Sequence, residues 1–108
     1  MTLNEYQEKS LRTAVLDRPL KDQMLNAALG LGGESGEILE HLKKAFFHGH
    51  ELNSEEMKKE AGDVLWYLSL LAHSLNTTLD EIAEMNIKKL EKRYPNGFNS
   101  KDSINRVE

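Results

Sequence analysis

The chain has 108 residues, long enough for one domain with one core and too short for two. Lys and Arg number 14 against 18 Asp and Glu, a formal charge of −4, so there is no long-range pull toward a nucleic-acid backbone, and nucleic acid is not an expected partner. The absence of cysteine excludes disulfide frameworks, thiolate zinc sites and cysteine nucleophiles, residues 1–10 carry Glu5 and Glu8 where a leader would be basic and then apolar, and no apolar run nears the roughly 20 residues that span a bilayer; the expectation is a cytoplasmic protein with no membrane contact.

Thr2 with Glu5 has the form of a capping box, and Leu3, Tyr6, Leu11, Ala14 and Val15 form a helical apolar stripe, predicting a first helix that ends before Pro19. From Leu20 to about Phe47, Met24, Leu25, Ala28, Leu29, Ile38, Leu39, Leu42 and Phe46 keep a helical pattern that Gly30, Gly32, Gly33 and Gly36 weaken. A loop at residues 48–53 follows, and Asn53 or Ser54 can cap a third helix running to about Leu75. Thr78 with Glu81 opens a fourth helix, which Tyr94-Pro95-Asn96-Gly97 closes, and residues 95–108 read as an extended polar tail. No alternating run of strand length is present. The expectation is a single all-α domain over 1–108, resembling a four-helix bundle. The third helix is apolar almost all round from Val64 to Ala72, a surface that one short chain can hardly enclose, so it predicts a homo-oligomer.

Four interior glycines together cost about 4 kcal/mol relative to alanine, which calls for a compensating role. A nucleotide loop is not that role: Ser35 stands where a Rossmann fingerprint needs glycine, and Glu37-Ile38 stand where a P-loop needs Lys and Ser or Thr. Close approach of a helix or ligand near Glu34 and Glu37 remains. Those two glutamates are three residues apart, as are Glu60 and Asp63, so each pair can present two carboxylates to one point. Two such helices packed antiparallel would gather four carboxylates, which repel one another unless a cation joins them, and hard oxygen donors select Mg²⁺ or Mn²⁺ over zinc or copper. A di-iron bundle is not indicated, because no Glu has His three residues on. His41, His48, His50 and His73 read as helix-face, boundary or loop residues, and Trp66 and Tyr67 read as core before they read as a stacking surface.

Taken in order, Gly33-Glu34-Ser35-Gly36-Glu37, Glu60-Ala61-Gly62-Asp63-Val64-Leu65-Trp66-Tyr67-Leu68, Asn86-Ile87-Lys88-Lys89-Leu90 and Arg93-Tyr94-Pro95-Asn96-Gly97-Phe98 resemble the MazG-type nucleotide pyrophosphohydrolases over nearly the whole chain. The resemblance implies an all-α dimer or tetramer that hydrolyses NTPs or dNTPs to the monophosphate and pyrophosphate, a house-cleaning activity on the nucleotide pool. It makes Glu34, Glu37, Glu60 and Asp63 the catalytic Mg²⁺ ligands, and Asn86, Lys89 and Arg93 the substrate contacts. Asn86, Lys89 and Arg93 also fall on one helix face by spacing, which gives the basic cluster a partner in the triphosphate. Gly33 stands where the family often has a further glutamate. The alternative is a non-catalytic helical oligomer whose carboxylates hold a structural cation.

Overall fold

Thr2 starts the first helix by a complete capping box: its hydroxyl accepts from Glu5 N at 3.1 Å, and Glu5 Oε1 accepts from Thr2 N at 3.3 Å. In the computed structural model, which describes residues 1–107, this helix, α1, spans Leu3–Ser10 and tightens into a 3₁₀ turn over Leu11–Thr13. It thus ends short of the predicted stripe, with Ala14 already extended. The cause is tertiary. Trp66 Nε1 donates to Ser10 O at 3.0 Å and to Thr13 Oγ1 at 2.9 Å, while the Thr13 hydroxyl donates to Ser10 O at 2.9 Å, so these oxygens serve a turn instead of a continuing helix.

The predicted long helices form with the expected bounds: α2 at Leu20–Phe47, α3 at Ser54–Ser74 and α4 at Leu79–Arg93. Asn53 caps α3 by accepting from Glu56 N at 3.1 Å. The end of α3 is a Schellman turn, with Asn76 N donating to His73 O, Thr77 N donating to Ala72 O, and Asn76 in the left-handed region at φ 56°. Helices α2 and α3 form an antiparallel hairpin, the most extensive packing in the chain, and α1 and α4 are attached to it. The α1–α4 junction is polar. Gln7, nearly buried, accepts from Leu79 N at 2.7 Å and donates to Thr77 O at 3.1 Å, and Asn4 Oδ1 accepts from Asp80 N at 3.2 Å, so α1 satisfies the first amides of α4.

The all-α class holds, with no strand among the described residues. The tail is a correction to the sequence reading. It contains α5 at Ser100–Ile104, because Asn99 Oδ1 accepts from Asp102 N at 2.7 Å and its Nδ2 donates to Asp102 Oδ2 at 2.6 Å; Glu108 lies outside the described residues. Apolar burial is sparse. Only Ala27, Leu70, Ala72 and Leu79 are buried hydrophobics among the described residues, and Val64 to Leu68, expected to be covered on every side, are half-buried. The radius of gyration is 17.0 Å where a compact chain of this length has about 13 Å, so one chain encloses little of what its sequence offers for burial. No helix is long and apolar enough to cross a membrane.

Candidate metal centre and active-site cleft

The face of α2 that meets α3 carries Gln23, Ala27, Gly30, Glu34, Ile38 and His41, at helical spacing, and each is buried or half-buried. Gly30 is the glycine that close approach requires: a Cβ there would overlap the Tyr67 ring, so its absence sets the α2–α3 separation one turn before Glu34. The other three weaken the helix without serving a contact within the chain, since nothing lies within 4 Å of a Cβ built at Gly32, Gly33 or Gly36. The expected close approach at the level of Glu34 and Glu37 is therefore placed one turn earlier.

With the helices in this register, Glu34 of α2 meets Glu60 and Asp63 of α3, and one carboxylate oxygen from each lies within 4.8 Å of the others. Glu37 stands outside this trio and is exposed, although its charge still acts on Glu34. The Glu34 carboxyl is held above its ordinary value, first by a hydrogen bond shared with Glu60, then by partial burial and by the charges of Asp63, Glu60 and Glu37. A cation placed among these carboxylates would offset the same crowding of negative charge. His41 Nε2 lies 3.7 Å from Glu60 Oε1, and the Tyr6 hydroxyl is raised by burial and by Asp63, so α1 also faces the cluster. Trp66 and Tyr67, packed edge to face with centroids 5.0 Å apart, line an open cleft of about 340 Å³ with Glu34 and Asp63. They are cleft walls, not core.

The basic residues of α4 lie elsewhere. Asn86 and Lys89 are exposed and line a separate cavity with Ile82 and Met85, and Arg93 is half-buried at the end of the helix; none of the three lines the carboxylate cleft in one chain. The sequence reading did not anticipate His41 or Tyr6 as neighbours of the cluster. The spacing of His41 seven residues, two helical turns, after Glu34 was a usable signal for the first, whereas the position of Tyr6 depends on where α1 docks.

The model of the MazG nucleotide pyrophosphohydrolase domain matches residues 23–98, which include the carboxylate cluster, all of α3 and all but the first three residues of α2. The chain belongs to the MazG nucleotide pyrophosphohydrolase family. This MazG domain is also similar to the Gene 37 protein of Mycobacterium phage L5, at 34% identity over 73 residues, covering 64% of each chain. The chain thus spans under two thirds of that relative's length. No solved structure matches the chain. Family membership supports pyrophosphohydrolase activity in general, and the all-oxygen donor set of the cluster suits a divalent cation.

Proposed function

We propose that this MazG domain is a Mg²⁺-dependent pyrophosphohydrolase that converts NTPs or dNTPs to the nucleoside monophosphate and pyrophosphate, as a house-cleaning activity on the nucleotide pool. The observation that carries this reading is the convergence of Glu34, Glu60 and Asp63 from two helices at the edge of an open cleft. Glu34, Glu60 and Asp63 would hold the cation, with Glu37 one turn away on α2 as the fourth carboxylate, and Mn²⁺ fits the same donors. When bound, the cation supplies charge neutralisation and acidifies nearby water. The water oxygen attacks the α-phosphorus, the bond from that phosphorus to the bridging oxygen breaks, pyrophosphate leaves with the electron pair, and a glutamate of the cluster takes the proton.

Asn86, Lys89 and Arg93 are proposed to hold the phosphates and the charge that develops on the leaving group. Because they share no cavity with the carboxylates in one chain, that role belongs to the assembled protein. A homo-oligomer is supported by α2, whose outward face presents Leu25, Leu29, Gly32, Gly36 and Leu39 at alternating spacings of four and three, with Phe46 seven residues further on, the pattern of a helix seam. Leu29 and Phe46 are 68% and 71% exposed, and open space lies over Gly32 and Gly36, so a second helix can approach closely there. Whether dimer or tetramer, the copy number is read by light scattering.

Hydrolysis of a panel of NTPs and dNTPs in ¹⁸O-labelled water tests the reaction. The label is expected in the monophosphate and absent from pyrophosphate, and Asp63→Asn is expected to abolish turnover with the helical spectrum intact. Label in orthophosphate with accumulating diphosphate would overturn the assignment. Mg²⁺-dependent thermal stabilisation without turnover of any nucleotide would instead favour a structural cation site.

A further inference from the structure

His41 stands seven residues after Glu34, two turns further along the face of α2 that meets α3. Because α3 runs antiparallel to α2, the step from Glu34 to His41 on one helix corresponds to a step back from Asp63 to Glu60 on the other. Seven residues rise about 10 Å and three rise about 4.5 Å, so Glu60 lies at a level between Glu34 and His41. Its carboxyl meets both. It shares a hydrogen bond with Glu34, and its Oε1 lies 3.7 Å from His41 Nε2.

This contact differs in kind from its neighbours. The pairs of Lys43 with Glu40, Lys58 with Glu55 and Lys59 with Glu56 join residues three apart on a single helix, and every side chain in them is at least 45% exposed. Pairs of that sort contribute little. His41 and Glu60 instead face each other across two helices, with side chains 30% and 19% exposed. The 3.7 Å span is about half an ångström beyond a hydrogen bond, and the terminal torsions of both side chains are broad, so rotation closes it without moving either helix. With its proton on Nε2, the imidazole donates to the carboxylate, holding it by one oxygen and leaving the other to the cluster. His41 is not itself a member of that cluster: among the described residues, the atoms that lie within 4.8 Å of one another come from Glu34, Glu60 and Asp63. Ligation must fix a glutamate side chain with three torsions, and a brace that fixes it beforehand removes that entropic cost.

We infer that His41 is a positioning residue of the metal centre, bracing the Glu60 carboxylate from the α2 side so that the site binds a divalent cation more tightly than its three carboxylates would unaided. The inference rests on the metal-centre reading above and gives His41 no contact with cation or substrate. Partners of this kind contribute about 10- to 100-fold to metal affinity.

Two substitutions of nearly equal length and helix propensity isolate the N–H. His41→Gln keeps a donor near the position of Nε2, and His41→Met removes it. Calorimetric titration of the nucleotide-free protein with Mg²⁺ should give a Kd raised at least ~10-fold in His41→Met and within ~3-fold of the unaltered protein in His41→Gln. In turnover assays the Mg²⁺ concentration for half-maximal rate should shift by the same factors. Melts in EDTA should give the two variants the same Tm, which separates bracing from folding. An unchanged Kd in His41→Met, a His41→Gln protein as weak as His41→Met, or an affinity loss matched by a lower Tm of His41→Met in EDTA would each overturn the brace. A loss confined to Mn²⁺ or Co²⁺, with Mg²⁺ binding intact, would also overturn it, because it would make His41 a direct ligand. The readings fail separately. Tight Mg²⁺ binding indifferent to residue 41 removes the brace alone, and absence of Mg²⁺ binding by the unaltered protein removes the metal centre with it. Rescue of Mg²⁺ binding by glutamine, without hydrolysis of any triphosphate, keeps the brace and removes the reaction.

Discussion

Adding one carbon to Gly30 should destabilise this protein, although the same change in an open helix stabilises it. In isolation, Gly→Ala inside a helix gains about 1 kcal/mol. At Gly30 the new Cβ would fall inside the Tyr67 ring, contacting Cε1, Cδ1 and Cζ, and the ring cannot swing aside freely because it packs against Trp66. Overpacking of this kind costs about 1 to 3 kcal/mol, and direct overlap with a constrained ring belongs at the upper end, so the net expectation for Gly30→Ala is a loss of about 1 to 2 kcal/mol. Gly33→Ala is the control, since no atom lies within 4 Å of its Cβ position, and it should gain close to the full propensity difference of about 1 kcal/mol. Urea melts followed by circular dichroism measure both, and 1 kcal/mol corresponds to a Tm change of about 4 to 8 °C in a domain of this size. A Gly30→Ala protein as stable as Gly33→Ala would refute the argument that Tyr67 sets the helix separation. Because the same contact sets the register of Glu34 against Asp63, Gly30→Ala should also weaken Mg²⁺ binding, while Gly33→Ala should not.

Gln7→Leu is expected to cost about 2 to 4 kcal/mol, since it orphans the Leu79 amide and the Thr77 carbonyl together; a change below about 0.5 kcal/mol in urea melts would mean that α4 is held by other contacts. The raised Glu34 carboxyl means that the folded protein binds this proton more tightly than the unfolded chain does. Its contribution to stability is therefore full below the ordinary value of 4.5 and is lost as pH rises through the folded value. The Mg²⁺-induced rise in Tm should accordingly grow from pH 4 to pH 7, and a rise independent of pH across melts with EDTA and with Mg²⁺ would show that the cation binds elsewhere. Leu29→Glu places a charge on the exposed seam of α2, and light scattering at micromolar concentration should show a smaller species; an unchanged mass would remove this face from the assembly.

The sequence by itself determined the local structure and the chemistry of the cluster. Capping residues Asn53 and Thr78, Pro19 before Leu20 and the helical apolar period are short-range signals, so α2, α3 and α4 begin and end where the residues say. The three-residue spacing of Glu34 with Glu37 and of Glu60 with Asp63 is likewise a property of one helix, and it identified the carboxylates before any packing was known. Tertiary structure decided the rest. The early end of α1 depends on the indole of Trp66, more than 50 residues away, and no local pattern encodes that competition for Ser10 O. The helix register, set where Gly30 receives Tyr67, brought Glu34 to Glu60 and Asp63 and left Glu37 outside. Trp66 and Tyr67 read as core from composition because an apolar helix predicts burial but cannot say what covers it. Only the antiparallel packing of α2 on α3 turned them into the walls of a cleft beside Glu34 and Asp63.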